Sequence, residues 1–320
     1  MQSLALYREI GHGHCGSVWI QEEEGTVVIK REDGGPGRSI QKDAEMHQRI
    51  EKSLTVAAIL HLNIPAHYRL IDATDVEFWN KTLPRFPHDT THHYEPCAAL
   101  VSERIQPFSK AYRENLIDTY CVEGVRSKIK CSKSDEDCLI RPYLGRRSHN
   151  QRPSRFFTLR NRPFNLDQME GIGLPTHEYA KTMAHALATI YWDAKIDAND
   201  VEFVLAPAGT HPGSKTWSSN LLGEHATWIL DFDCCNSISL DEAGINQAAT
   251  AFYKNDPFYP RPASDNEAAI ALWGIFKSHF IESSKPILGP DSTLPLMMIE
   301  RLERMGEERR ETVRRLNPES

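Results

Sequence analysis

The sequence predicts an α+β protein of two lobes, a small β-rich N-lobe over residues 1–108 and a larger, mainly helical C-lobe over residues 109–320. Three observations predict it. Short β-branched runs bounded by glycine fill residues 5–31. Apolar residues at helical spacing dominate the second half. Two acidic turns, at Asp197–Glu202 and Asp231–Asp233, lie beside short strand-like runs, where side chains gather at one edge of a sheet.

The elements follow in order. Val18-Trp19-Ile20 and Thr26-Val27-Val28-Ile29-Lys30 read as strands flanking a turn. Residues 40–60 read as a helix, with Met46, Ile50, Leu54 and Ala57 on one face. Ala98-Ala99-Leu100-Val101 is a short buried strand that ends at Ile105-Gln106-Pro107, since proline cannot continue a ladder. Residues 109–165 show no sustained period, and Lys133–Asp137 reads as exposed loop. A helix starts after Pro175 with Thr176 as its expected N-cap and Tyr179, Met183, Leu187, Ile190 and Ala194 as its stripe. Strands are expected at Val201–Leu205 and Thr227–Leu230 around a Gly/Ser/Pro-rich hairpin at 207–224. Helices are expected at Asn266–Ser278 and from about Leu296 to Leu316.

The first chemical constellation is Gly11-His12-Gly13-His14-Cys15-Gly16-Ser17-Val18, a G-x-G-x-x-G-x-V loop between two strands. Gly11, Gly13 and Gly16 let the backbone turn tightly and approach a phosphate. Strand–turn–strand context disfavours a dinucleotide fold, which needs strand–turn–helix. With Lys30 on the following strand and Glu45 on the next helix as its expected ion-pair partner, the pattern is protein-kinase-like. A plain hairpin with a surface lysine is the bland alternative. Further on, Asp197 stands where a kinase base stands and Glu202 occupies the usual metal-binding Asn position, without the preceding His-Arg. Asp231-Phe232-Asp233 matches the kinase Asp-Phe-Gly site in its first two residues. Asn199 and Asp200 complete the turn, where such residues also serve as ordinary turn formers. Carboxylates this dense raise one another's pKa values and call for a cation, either Mg²⁺ or a guanidinium or ammonium of a substrate.

Composition sets the frame. Net charge is −7, with 40% hydrophobic and 25% charged residues, which excludes a protein coated with nucleic acid. No apolar run is long enough for a membrane span, so a soluble cytoplasmic protein is expected. The 7 cysteines are odd in number and scattered, and are expected to be reduced. Neither Cys121, Cys131 and Cys138 nor His88, His92, His93 and Cys97 have the spacing of a zinc site, and no metal site is expected from them. Against the acidic background, residues 141–165 hold no Asp or Glu but carry Arg141, Arg146, Arg147, Arg152, Arg155, Arg160 and Arg162 with Tyr143, Phe156, Phe157 and Phe164 interleaved. Arginines neutralise phosphates and aromatics stack on bases, so the block is a candidate for holding an RNA end. A solvated loop is the alternative. The arginines of the C-terminal helix alternate with glutamates and read as a salt-bridged face.

Several longer stretches resemble one family: Arg141-Pro142-Tyr143-Leu144-Gly145-Arg146-Arg147, Phe157-Thr158-Leu159-Arg160-Asn161, Asn165–Met169, Ile196–Leu205, Trp228–Asp233 and Asp256-Pro257-Phe258-Tyr259-Pro260-Arg261-Pro262. They resemble fungal proteins of unknown function often labelled "zinc finger protein", associated with the arginine-containing cyclodipeptide synthases. The resemblance covers most of residues 95–285. It implies arginyl-tRNA and a second aminoacyl-tRNA as substrates and a cyclo-arginine-Xaa diketopiperazine as product. The family's acidic motif falls on Asp197, Asp200 and Glu202, although no literal Asp-Asp-x-x-Glu string is present.

Three functions are therefore open. In the first, no cofactor is needed, the acidic cleft with Asn199, Asp231 and Asp233 holds the arginyl group, and Asp200 or Glu202 is the base. The glycine loop and Lys30 are then a reused or idle phosphate cradle. In the second, ATP and Mg²⁺ support a phosphotransferase with Lys30 on the phosphates, Asp197 as base and Glu202 with Asp231 on metal. In the third, a kinase-like module binds without catalysis.

Overall fold

The computed structural model describes residues 6–22, 25–87, 94–148, 153–209 and 215–316. The β-branched runs near the N-terminus form the hairpin β1 (Tyr7–His12) and β2 (Ser17–Gln21), joined to β3 (Val27–Arg31). Helix α1 (Ile40–Ala57) follows, its first turn capped by the Ser39 hydroxyl, which accepts from the Lys42 amide. Then come β4 (Leu62–Asn63), β5 (His67–Ile71), α2 (Val76–Thr82) and β6 (Ala99–Glu103). Five strands make one antiparallel sheet in the order β1-β2-β3-β6-β5.

The C-terminal region holds α3 (Lys110–Tyr120), α4 (Glu123–Lys130), β7 (Ile140–Tyr143), β8 (Arg162–Asn165), α5 (Leu166–Gly171) and α6 (Thr176–Trp192). It continues with β9 (Glu202–Ala206), β10 (Trp217–Ser219), β11 (Gly223–Leu230), α7 (Glu242–Lys254), α8 (Glu267–Leu288) and α9 (Leu294–Leu316). Helix α6 is buried on nearly every side, with Tyr179, Met183, Leu187 and Ile190 in the main core and α8 packed along it. A sheet with one helix after its third strand, set on a helical half, with strand ends meeting in the cleft, is the protein-kinase-like α+β arrangement. The two halves are interlocked. Met46, Ile50 and Leu54 of α1 belong to the C-terminal core, and β4 pairs in parallel with β11.

Several expectations are corrected. Residues 109–165 contain two helices, but α4 buries none of its residues and α3 only Leu116 and Ile117, too narrow a stripe to read as a period. Lys133–Asp137 is exposed at Lys133, Ser134 and Glu136, as expected, but not at its two aspartates. Asp135 is buried and accepts from the Thr158 hydroxyl and the Leu159 amide, while Asp137 takes Arg8 and Arg104. Pro175, not Thr176, stands at the N-cap of α6. Helix α8 runs on past the expected end at Ser278 to Leu288, with buried Phe276, Phe280 and Ser284 on its inner face and Pro286 in its last turn.

Candidate active site between the lobes

Lys30 reaches from β3 to the centre of the cleft. Its Nζ lies 2.6 Å from Asp43 Oδ2 and 2.8 Å from Asp231 Oδ1. Burial pulls the ammonium down, but Asp231 and Asp43 outweigh it and hold Lys30 well above its usual value. The expected partner, Glu45, is wrong: it points to solvent. Asp43 lies three residues before Met46, hence on the helix face turned to the cleft, whereas Glu45 falls on the outer face. Asp43 also accepts the Phe232 amide at 3.2 Å, which ties α1 to the end of β11.

The acidic turns separate into two groups. Asp197 does not face the cleft. It is buried and accepts from the Asn199 and Asn236 amides, the Asn236 side chain and Gln247 Nε2 at 2.9–3.2 Å. All these donors come from its own turn, the segment after β11 and α7, so Asp197 braces the turn; the sequence reading of it as the base is corrected. Asn199 is drawn the same way, with its amide donating to the Cys234 carbonyl at 3.2 Å. Asp200, Glu202, Asp231 and Asp233 line the cleft with Asp43 and Asp256. Asp200, just before β9, and Asp231, just after β11, have φ of 63° and 66°, a left-handed conformation that Asp tolerates. The Asn255 side chain fixes Asp200 by accepting its amide at 2.7 Å.

Arg38 was not foreseen. It comes from the Gly34-Gly35-Pro36-Gly37 segment and crosses to the opposite lobe. Its guanidinium lies 2.7 Å from Asp233, 3.4 Å from Asp200 and against the Cys234 thiol. The Cys234 thiol is pushed up to about 11 by burial and by Asp233, so it is protonated at neutral pH.

Arg141 belongs to the cleft. It pairs with Glu202 and, at 3.2 Å, with Asp256, which also accepts the Tyr143 hydroxyl at 2.5 Å. Burial drives the Glu202 carboxyl up to about 7, beyond what Arg141 recovers. Three more arginines of the block have partners. Arg146 lies over the Tyr143 ring and donates to Asn165, Arg147 makes a bidentate pair with Glu170, and Arg162 lies over Phe157. Arg155 and Phe156 are exposed, Arg160 lines the cleft, and Arg152 lies outside the described residues.

The glycine loop lines the cleft through Gly11, Gly13 and Gly16. It is stitched to the segment after β3, with the Gly34 amide on Cys15 O at 3.2 Å and the Gly35 amide on His14 O at 2.9 Å. The Ser17 amide and hydroxyl both go to Asp33, which is held in turn by buried Arg31. At Gly16, φ is 150° and a Cβ would lie 2.0 Å from Arg31 O, so no other residue fits. A carboxylate thus stands against a loop whose role in a kinase is to cradle phosphates.

The cavity measures about 480 Å³. Among the described residues, one group converges closely enough for a metal: Asp200, Asp233 and Cys234. It does not fit Mg²⁺, which prefers oxygen donors, and Arg38 already covers both carboxylates. Cys121 and Cys138 are buried and Cys131 is exposed; they do not gather, while His88, His92 and His93 lie outside the described residues. No helix among the described residues is long and apolar enough to cross a membrane.

Residues 227–292 match the DUF3669 family, described as "Zinc finger protein". The match takes in the second half of β11, the Asp231–Asp233 turn, α7 and all of α8. No curated protein matches the chain. Among solved structures, the GDP and kanamycin complex of APH(2")-IIia is similar over 94% of this chain and 93% of that one, at 11% identity and a TM-score of 0.25. A TM-score that low carries no weight for function.

Proposed function

We propose that the chain is a tRNA-dependent aminoacyltransferase of the cyclodipeptide synthase type, which condenses arginyl-tRNA with a second aminoacyl-tRNA into a cyclo-arginine-Xaa diketopiperazine. The observation that carries the reading is electrostatic. Lys30, Arg38 and Arg141 are each shared between two carboxylates, so negative charge is in excess around these six carboxylates, while Arg160 and Lys254 line the same cavity. Moreover, Asp200 and Asp233 already hold a guanidinium, that of Arg38, the group an arginyl substrate would bring.

The chemistry needs one base. Glu202, with its pKa near 7, takes a proton from the α-ammonium of one aminoacyl ester. The freed amine attacks the carbonyl of the second ester. A C–N bond forms, the C–O bond to the ribose breaks, and the proton passes to the leaving ribose oxygen. The remaining amine of the dipeptidyl ester repeats the attack within the same molecule, closing the ring and releasing the second tRNA. Both steps draw on the esters, so ATP is not consumed at this site.

A second reading, an ATP-dependent phosphotransferase, is favoured by Lys30 held between Asp43 and Asp231, the layout of a kinase lysine. Against it stands the poor fit to Mg²⁺ of the group of described residues that converges closely enough for a metal. The test incubates the protein with arginine, a second amino acid, tRNA, synthetases and ATP, followed by mass spectrometry. A diketopiperazine that disappears with RNase is expected. Its absence, or a product that survives RNase, overturns the reading, and Mg·ATP binding with phosphate transfer would put the second in its place.

A further inference from the structure

Part of the arginine block has no partner, and it surrounds a braced turn outside the cleft. Residues 154–159 are held at both ends. At one end Ser154 bridges to Cys121, its amide donates to the Tyr120 carbonyl at 3.0 Å, and its carbonyl accepts the Val122 amide at 3.3 Å. At the other, Phe157 and Leu159 are buried, and Asp135 accepts the Thr158 hydroxyl at 2.7 Å and the Leu159 amide at 2.5 Å. Between these anchors Phe156 is 97% exposed, more than any other large apolar side chain among the described residues. Its amide donates to the Ser154 hydroxyl at 3.0 Å, which sets the bend. The ring adds nothing to the core, yet the backbone beneath it is fixed.

The cations around the turn are free. Arg155 precedes Phe156, and Lys133 opens the short helical turn that carries Asp135; both are exposed. Arg160 follows the turn and lines the cavity, as does Lys254. None of the four makes an ion pair with a described residue, whereas Arg141 and Arg147 of the same block do. Arg155 and Arg160 are five positions apart, which limits their Cα separation to about 18 Å. An aromatic ring in water, with unpaired cations leading from it to the cavity, matches an unpaired strand of RNA: a base stacks on the ring and the cations neutralise phosphates. A duplex keeps its base faces stacked on one another and offers the ring nothing along its length. An acidic protein segment would satisfy the cations and leave the ring without a partner.

We propose that the Arg155–Phe156 turn is the docking point for the unpaired 3′ strand of the tRNA. Phe156 stacks on a base, Arg155 and Lys133 take phosphates beside it, and Arg160 and Lys254 take phosphates on the way into the cavity. The proposal rests on the synthase reading and adds to it the surface that holds the RNA.

The surface is tested by titrating the full-length protein, over a range of salt concentrations, with labelled RNA hairpins that are blunt or carry a short single-stranded 3′ tail. The tailed hairpin is expected to bind about tenfold tighter than the blunt one. Phe156→Ala and Phe156→Leu are each expected to weaken binding of the tailed hairpin about tenfold, and Phe156→Trp to keep it, because stacking needs a ring and not merely an apolar side chain. With the ring 97% exposed, all three variants are expected to melt with the wild type. Arg155→Ala is expected to flatten the slope of log affinity against log salt by about 0.7. In the product assay Phe156→Ala is expected to raise KM for aminoacyl-tRNA and leave kcat unchanged. Equal binding of the two hairpins, wild-type binding by Phe156→Leu, or an unchanged salt slope in Arg155→Ala would overturn the proposal. Displacement of the tailed hairpin by poly-glutamate at equal charge would assign the surface to an acidic protein and overturn it as well. Diketopiperazine formed by Phe156→Ala with KM unmoved sinks the docking turn and spares the synthase. Tail-selective binding that Phe156→Ala abolishes, with no product from the wild type, sinks the synthase and upholds the turn.

Discussion

Glu202→Gln tests the proposed base and the electrostatics of the cleft together. Burial lifts the Glu202 carboxyl from 4.5 to about 7, a change worth about 3 kcal/mol between its two protonation states. Because the folded pKa is the higher one, the protonated carboxyl stabilises the fold fully below pH 4.5, and that stability is lost as pH rises through about 7. Glutamine cannot ionise and keeps an amide oxygen for Arg141. Between pH 5 and pH 8 the variant should therefore gain roughly 2–3 kcal/mol on the wild type, read as the difference in urea unfolding free energies. The same ionisation should place the lower limb of the pH–rate profile near 7, and the variant should lose most of its rate at every pH. An unfolding difference that stays constant from pH 5 to pH 8 would show that Glu202 titrates as an ordinary carboxylate, and would refute it as a base poised near neutrality.

Asp197→Ala removes four hydrogen bonds from the turn after α6 and should cost roughly 2–3 kcal/mol of unfolding free energy, with kcat per folded molecule changed less than about threefold; a rate loss above about a hundredfold with an unchanged unfolding curve would restore Asp197 to the chemistry. Lys30→Met leaves buried Asp43 beside Asp231 without a cation and should cost roughly 3–5 kcal/mol in denaturant unfolding. Gly16→Ala should destabilise by more than about 2 kcal/mol, because its Cβ would clash with Arg31 O, whereas Gly13→Ala, with open space around it, should stay within about 0.5 kcal/mol.

The sheet, the glycine loop, Lys30 and the Asp231 turn are legible in the sequence because each is fixed by neighbours along the chain. Periodicity shows the strands, and glycine spacing shows the loop. Pairing across the cleft is another matter. Asp43 is nearly adjacent to Glu45 in sequence, and the apolar stripe of α1 could have decided between them, since Asp43 is three residues from Met46 on the buried face. No local signal distinguishes Asp197 from Asp200. What separates them is Asn236 and Gln247, which come from beyond β11. The arginine block misleads for a related reason. A run of like charges suggests a shared task, yet Arg141 and Arg147 turn to Glu202 and Glu170, 61 and 23 residues away and invisible to a short window of sequence, while Arg162 lies over Phe157 within the block itself.

Arg38 gives the cleft the character of an ion exchanger. On the proposed function, an arginyl substrate seated on Asp200 and Asp233 would replace one guanidinium with another, so the two carboxylates would keep a cation throughout the swap. The displaced side chain takes with it the only tether from the Gly34–Gly37 segment to the opposite lobe that the described ion pairs provide. Loading and loosening are then one event. A neutral analogue of the same shape would leave Arg38 on both carboxylates and the Gly34–Gly37 segment tied across the cleft.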